Sequence, residues 1–166
     1  ADDEQRVLII KGAGDKAFSA GYDLNQGTGE GAAKDPSLTQ WRWRLNHDLQ
    51  LTYSVWRCSK PVIAMIDGYC LAGGLEFAQM CDMRYASDAS QFAVIETRFS
   101  NGVATLAMPW IIGHKSRELI FTGDMISALE AERIGLVNRV FPKADLEAEV
   151  MKIAKRMSRV ALDSLR

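Results

Sequence analysis

The amino-acid sequence predicts an α/β fold, because short strand-like runs alternate with segments of helical periodicity. The runs rich in β-branched and other apolar residues are RVLIIK at 6–11, KPVIAMID at 60–67, MRYAS at 83–87, QFAVIE at 91–96 and LVNRVF at 136–141. Such runs are typical of buried strands. Between most of them, apolar residues recur at steps of three and four, as they do along one face of an α-helix.

The first predicted helix follows a glycine-rich loop at 12–36, a length at which loops are often functional. Its start is marked by Ser37 and Gln40, which have the spacing of a capping box. Its repeating positions are Leu38, Trp41, Leu45, Leu49, Thr52 and Trp56. We expect Trp41 and Leu45 to face the core and Arg42 to face solvent.

The later helices are bounded by capping residues, prolines and glycines. Pro109 is expected to break a helix within 104–113, and Gly123 and Gly135 are expected to end two helices. Ser127 and Glu130 have the spacing of a second capping box, and Asp145 is expected to start the last helix. Helices are therefore expected at 116–122, at 128–134 and from 146 onward.

Composition narrows the functional class. The chain has 166 residues, 48% of them hydrophobic, and a formal net charge of −1, which suits one globular domain and offers no basic surface for nucleic acid or anionic lipid. No apolar run reaches the ~20 residues that span a bilayer. Cys58, Cys70 and Cys81 lack metal-ligand or disulfide spacing. We expect a reducing compartment, by default the cytoplasm, and no metal.

The two ends of the sequence suggest a longer protein. The chain begins at Ala1 without a methionine and enters a strand-like run within a few residues, and it stops at Arg166 inside a helical pattern. We therefore expect an α/β unit that is truncated at both ends.

Several motifs resemble those of other enzyme classes, but each of them matches incompletely. Gly12-Ala-Gly14-Asp-Lys-Ala17 fits a loose dinucleotide fingerprint, but no helical period follows it, so a nicotinamide-dependent oxidoreductase is disfavoured. Ser19 lies in an incomplete nucleophile elbow and is expected to be a turn residue. His47 and His114 have no ligand pattern around them, so surface or capping roles are favoured.

Two similar glycine-containing turns carry the strongest signal. FSAGYDL at 18–24 and CLAGGLE at 70–76 each follow a strand-like region, where backbone N–H groups can converge on an oxyanion. Glu76 falls in the first turn of a predicted helix, and Glu96 ends a predicted strand. Two carboxylates beside an oxyanion hole suit proton transfer next to a carbonyl. From spacing alone, a first-turn helix acid and an exposed strand end remain an open alternative.

Four motifs in order resemble the enoyl-CoA hydratase/isomerase family, the crotonases. They are KAFSAGYDL, KPVIAMIDGYCLAGGLEFAQMCDMRYAS, QFAVIETR and FTGDMISALEAERIGLVNRVFP. The resemblance covers residues 7–142 and continues weakly beyond them. It implies a crotonase-like spiral of ββα units over residues 1–142, followed at 143–166 by the start of a C-terminal helical region.

The resemblance also implies the site. Tyr22 and Gly73 match the two backbone N–H donors of the family's oxyanion hole, and Ala20 and Tyr22 match backbone positions that line the pocket for the CoA adenine. Glu76 and Glu96 match the two catalytic carboxylates of the hydratases. An acyl-CoA substrate and a homotrimer or dimer of trimers are implied, with no cofactor apart from the CoA of the substrate.

Because both carboxylates are present, the leading interpretation is an enoyl-CoA hydratase, a hydro-lyase. An isomerase or another acyl-CoA enzyme of the family is the first alternative, and a non-catalytic CoA-binding subunit is the second. The sequence departs from many hydratases after Glu96, where TRFSNGVATLAMP is short and poor in glycine and where Ile95 replaces a common proline. This segment borders the acyl pocket in relatives, so acyl specificity is left open.

Overall fold

The computed structural model describes residues 4–23, 37–99 and 107–160. Strands and helices alternate along them, as predicted for an α/β fold. The strands are β1 Leu8–Lys11, β2 Ala17–Ser19, β3 Val62–Ile66, β4 Tyr69–Leu71, β5 Met83–Ser87, β6 Gln91–Ala93, β7 Ile126–Ser127 and β8 Arg139–Phe141. The helices are α1 Leu38–Trp56, α2 Gly73–Gln79, α3 Met108–Ile112, α4 Lys115–Thr122, α5 Ala128–Arg133 and α6 Leu146–Met157, with a 3₁₀ helix at Ile95–Phe99.

The strands form two four-stranded sheets, and the chain alternates between the sheets from β1 to β6. One sheet has the order β1-β3-β5-β8 and is parallel throughout. The other has the order β2-β4-β6-β7, with β2, β4 and β6 parallel and β7 antiparallel to β6. Each pair β1-β2 and β3-β4 is followed by a helix, so the chain advances through the two sheets in ββα steps.

The core is built on strand β3, in which every residue is buried. The two faces of β3 pack into two hydrophobic clusters. Val62, Ala64 and Ile66 belong to the main core, whereas Ile63 and Met65 pack with α6. A strand buried on both faces is expected to be apolar throughout, as this one is. The prediction of a buried strand here is confirmed.

Helix α1 begins at the predicted residue, but the residues that it buries are not the predicted ones. The Ser37 side chain accepts a hydrogen bond from the Gln40 N–H, and the Gln40 side chain accepts one from the Ser37 N–H, so the capping box is present. The prediction that Trp41 and Leu45 face the core is wrong, since they are 45% and 38% exposed. The buried residues of α1 are Thr52 and Val55, because only the last turns of the helix pack on the core.

Two further predictions need correction. The strand expected at 91–96 stops at Ala93, and Glu96 lies in the 3₁₀ helix that follows rather than at a strand end. Pro109 does not break a helix but lies in the first turn of α3, where a missing N–H costs nothing. The part of that predicted helix at 104–106 lies outside the described residues.

The remaining helix boundaries are confirmed. Gly123 ends α4 in the left-handed conformation, with φ 63°, and Gly135 follows α5 with φ 80°. The Ser127 hydroxyl caps α5 by accepting the Glu130 N–H, which is one half of the predicted capping box, whereas the Glu130 carboxylate binds Arg133. Helix α6 begins directly after Asp145 and buries Val150. No helix in the described part of the chain is long and apolar enough to cross a membrane.

Candidate active site

Three parallel strands carry the predicted site residues to one edge of a sheet. In the second sheet β4 pairs with β2 on one side and with β6 on the other. The chain leaves β2 at Ser19 toward Tyr22, leaves β4 at Leu71 toward Gly73, and leaves β6 at Ala93 toward Glu96. The carboxyl ends of adjacent parallel strands are where α/β proteins commonly bind ligands.

The two glycine-containing turns touch each other at this edge. Gly21 has φ +103°, a conformation that L side chains rarely adopt. A Cβ atom built on Gly21 would lie 3.1 Å from the backbone nitrogen of Gly73 and 3.1 Å from Cβ of Ala72. The close approach of the two turns therefore depends on glycine at this position.

Helix α2 starts from an unusual backbone conformation. Ala72, its N-cap residue, has φ 48° and makes no side-chain cap hydrogen bond. The Ala72 N–H donates to the Ala93 carbonyl of β6 at 3.1 Å, which ties the helix start to the strand that leads to Glu96. A positive φ in a residue other than glycine is strained, and such residues cluster at functional sites.

The N–H groups of Tyr22 and Gly73 occupy the same edge. The N–H groups of Leu75 and Glu76 both donate to the Ala72 carbonyl. Within residues 4–23, 37–99 and 107–160, by contrast, the amides of Tyr22 and Gly73 donate no hydrogen bond. Gly73 is partly buried at the start of α2, and Tyr22 is exposed, so both amides can donate to water or to a ligand.

Glu76 lies in the first turn of α2, as predicted, and is only 3% exposed. Ionised carboxylates are costly to bury, so a buried glutamate at the edge of a ligand site is a candidate for proton transfer. A first-turn position favours its negative charge, because helix N-termini are positive. Burial argues against the alternative in which Glu76 is an ordinary exposed helix acid.

Glu96 is half-buried in the 3₁₀ helix that follows β6. Its Oε2 atom is buried and accepts no hydrogen bond from the residues that the structure describes. Burial raises the pKa of the Glu96 carboxyl, and a backbone hydrogen bond partly offsets the increase. A carboxyl with a raised pKa is suited to donate a proton near neutral pH.

Ala20 and the Tyr22 backbone lie on the open side of the site. Ala20 directly follows β2 and is exposed, and Tyr22 is 36% exposed. Both therefore remain accessible to a large ligand that approaches along the edge. Sequence reasoning assigned only the backbone of Tyr22 and missed its side chain, whose ring lies against Gly73.

The other motifs do not form sites. The glycines at 12–14 lie in the turn between β1 and β2, with no helix after them, so the geometry of a dinucleotide fingerprint is absent. The Ser19 hydroxyl accepts the Gly21 N–H at 3.3 Å, which is the predicted turn role. His47 stacks on Trp43 at the surface, and His114 precedes α4.

A separate cleft of about 620 Å³ lies at the opposite end of α2. Its lining includes Trp56, Gln79, Met80, Arg84 and Trp110, and none of the predicted site residues. Volume alone would favour this cleft as a ligand site. The carboxylates and the strained glycine turns lie instead at the sheet edge, so we place the candidate site there.

Comparison with known proteins identifies the family. The family model described as enoyl-CoA hydratase/isomerase matches residues 1–166. A crotonyl-CoA hydratase of Syntrophomonas wolfei is 37% identical over 94% of this chain and 59% of its own length. A carnitinyl-CoA dehydratase of Escherichia coli is 36% identical over 94% of this chain and 59% of its own length.

Solved structures show the same relationship. The crystal structure of an enoyl-CoA hydratase/isomerase from Xanthobacter autotrophicus has a TM-score of 0.91 and 35% sequence identity, over 99% of this chain and 61% of that one. The two-sheet ββα architecture is therefore the crotonase fold. The chain belongs to the enoyl-CoA hydratase/isomerase family. It spans 59% of the length of the crotonyl-CoA hydratase and 61% of the length of the Xanthobacter autotrophicus protein.

Proposed function

We propose that this chain belongs to an enoyl-CoA hydratase, which adds water across the double bond of a trans-2-enoyl-CoA in the syn sense. The observation that carries the proposal is the common sheet edge reached by Tyr22, Gly73, Glu76 and Glu96 through three adjacent parallel strands. The similarity to a crotonyl-CoA hydratase supports the same substrate class.

In this mechanism the thioester carbonyl oxygen accepts hydrogen bonds from the N–H groups of Tyr22 and Gly73. Glu76 takes a proton from a water molecule as the oxygen of that water bonds to C3. The electron pair of the double bond moves onto the thioester, which becomes an enolate. The two donors stabilise that negative charge more than they stabilise the neutral thioester. Glu96 then delivers a proton to C2, which completes the addition.

The CoA portion of the substrate would lie against the backbone of Ala20 and Tyr22, two exposed residues. Proton transfer by two carboxylates and charge stabilisation by two amides account for every step of this addition. The proposal therefore includes no metal or cofactor beyond the CoA that the substrate carries.

The decisive test is hydration of crotonyl-CoA by the intact protein, followed as loss of the enoyl absorbance. Formation of 3-hydroxybutyryl-CoA supports the proposal. If the protein instead moves the double bond of a 3-enoyl-CoA and never hydrates a 2-enoyl-CoA, the isomerase alternative is correct.

We expect Glu76→Gln to separate water activation from enolate formation. Without a base at this position, hydration falls by about 10²–10⁴, the usual contribution of a general base. Exchange of the C2 protons of butyryl-CoA in deuterated buffer continues, because Glu96 and both amide donors remain. Deuterium uptake by mass spectrometry and crotonyl-CoA hydration are measured on the same preparation.

The matched control is Glu118→Gln, on the exposed surface of α4. It should leave both rates unchanged. An equal loss of hydration and exchange in Glu76→Gln would contradict separate roles and show that the two carboxylates act as one unit.

The raised pKa of Glu96 predicts a specific pH dependence. A glutamic acid that donates a proton must be protonated, so kcat/KM falls as the pH rises through the pKa of Glu96. Because burial raises this pKa, the decline occurs above the ordinary range of a glutamate, about 4.3. A kcat/KM profile that declines within that ordinary range would contradict the assignment.

We also propose that the protein assembles as a homotrimer or a dimer of trimers. Large apolar side chains are exposed on the described helices, among them Trp43, Trp56 and Trp110, which are 70%, 69% and 91% exposed. Aromatic side chains are enriched at protein–protein interfaces relative to the rest of the surface. Sedimentation equilibrium of the intact protein tests this, and a monomer at micromolar concentration would contradict it.

A further inference from the structure

The side chain of Tyr22 contacts the candidate site at a point that its backbone role does not require. A Cβ atom built on Gly73 would come within 2.7 Å of Cε2 and 2.8 Å of Cδ2 of the Tyr22 ring. The ring therefore fills the space beside the first residue of α2. It packs against the residue that is expected to supply the other amide donor.

The opposite end of the Tyr22 side chain reaches helix α1. Its hydroxyl donates to the Asp48 carbonyl at 3.4 Å, and the hydroxyl of the buried Thr52 donates to the same carbonyl at 3.3 Å. Burial raises the pKa of the Tyr22 hydroxyl, and the negative charges of Glu76 and Asp48 add to the increase, although a hydrogen bond with Thr52 opposes it. The hydroxyl therefore remains a neutral donor at physiological pH.

We propose that the side chain of Tyr22 is a positioning residue, which fixes its own amide relative to the amide of Gly73 by bridging the first turn of α2 and helix α1. The inference rests on the proposed function for the role of the two amides. Gly21, with φ +103°, precedes Tyr22 and restrains the backbone least of all residues. The orientation of the Tyr22 amide therefore depends on what holds its side chain.

Orientation matters because hydrogen bonds weaken steeply as the N–H···O angle closes. An oxyanion hole acts through donors that are already aimed at the developing charge. A loose Tyr22 side chain would lower the stabilisation of the enolate while the bulk of the CoA contacts persists. The expected signature is a loss in kcat with little change in KM.

The test compares Tyr22→Phe and Tyr22→Ala with the control Tyr53→Phe, on the same helix that Tyr22 contacts. Acetoacetyl-CoA serves as the probe, because its bound enolate absorbs in the near ultraviolet and reports the oxyanion hole without any hydration step. We expect Tyr22→Phe to lower kcat and the enolate fraction about fivefold, the effect of one neutral hydrogen bond. For Tyr22→Ala we expect kcat and the enolate fraction to fall about 10- to 100-fold, and for Tyr53→Phe we expect no change in either quantity.

A double variant tests the ring contact itself. Gly73→Ala places a methyl group where the Tyr22 ring lies, so the ring must move and kcat should fall about tenfold. In the Tyr22→Ala background the three atoms nearest to that methyl group, all in the Tyr22 ring, are absent, and Gly73→Ala should lower kcat little further. Such non-additivity is expected only if the two residues act through their contact.

Unchanged kcat and enolate fraction in both folded Tyr22 variants would overturn the inference, as would equal losses in Tyr53→Phe. If Tyr22→Ala does not fold, the enolate fraction of Tyr22→Phe, which keeps the ring, decides alone. A wild-type protein that forms the acetoacetyl-CoA enolate but never hydrates crotonyl-CoA would refute the proposed function and leave this inference standing.

Discussion

Glu96→Gln is expected to fold normally, to bind acyl-CoA and to lose hydration activity by about 10²–10⁴, the range for a general acid. The amide is nearly the same shape as the carboxyl but has no proton to deliver to C2. The half-buried position of Glu96 makes the substitution mild for the fold, since a neutral amide is easier to bury than a carboxylate. Steady-state kinetics with crotonyl-CoA and calorimetric titration with butyryl-CoA measure the two properties.

The control for this substitution is Glu132→Gln on α5, outside the three turns that carry the candidate site residues. It changes the net charge equally and should retain full activity. A folded Glu96→Gln protein within a few-fold of wild type would remove Glu96 from the mechanism.

Replacing the amide of residue 73 by an ester is expected to lower kcat by about 10²–10³, the cost of one oxyanion donor. The ester deletes the N–H with little change of shape. Affinity for a saturated acyl-CoA should fall much less, because the hole favours the enolate over the ground-state thioester. The chain can be assembled by ligation at Cys70, a free cysteine three residues before Gly73.

The same ligation product with an ordinary amide is the matched control. Simpler substitutions are less informative. Gly73→Ala keeps the donor but forces the Tyr22 ring to move, and Gly73→Pro also restricts Ala72, which has φ 48°. Unchanged kcat in a folded ester protein would mean that Gly73 is only a tight-turn glycine.

The sequence by itself determined the elements and their ends. The capping box at Ser37, the stop at Gly123 and the buried strand β3 were all predictable, because each depends on the period and chemistry of a few neighbouring residues. The first-turn position of Glu76 was predictable for the same reason, since two glycines open its helix. The family motifs added the roles of these residues as expectations.

Only the tertiary structure decided which residues meet. The turns at Gly21 and Gly73 lie far apart along the chain, and they touch because β2 and β4 are parallel neighbours in one sheet. The burial of Glu96 and the rise in its pKa depend on the same packing. The periodicity of the sequence predicted the helix that contains Trp41, but it did not predict that the Trp41 side chain would be exposed. Burial and contact depend on pairing between distant segments, which a local pattern does not specify.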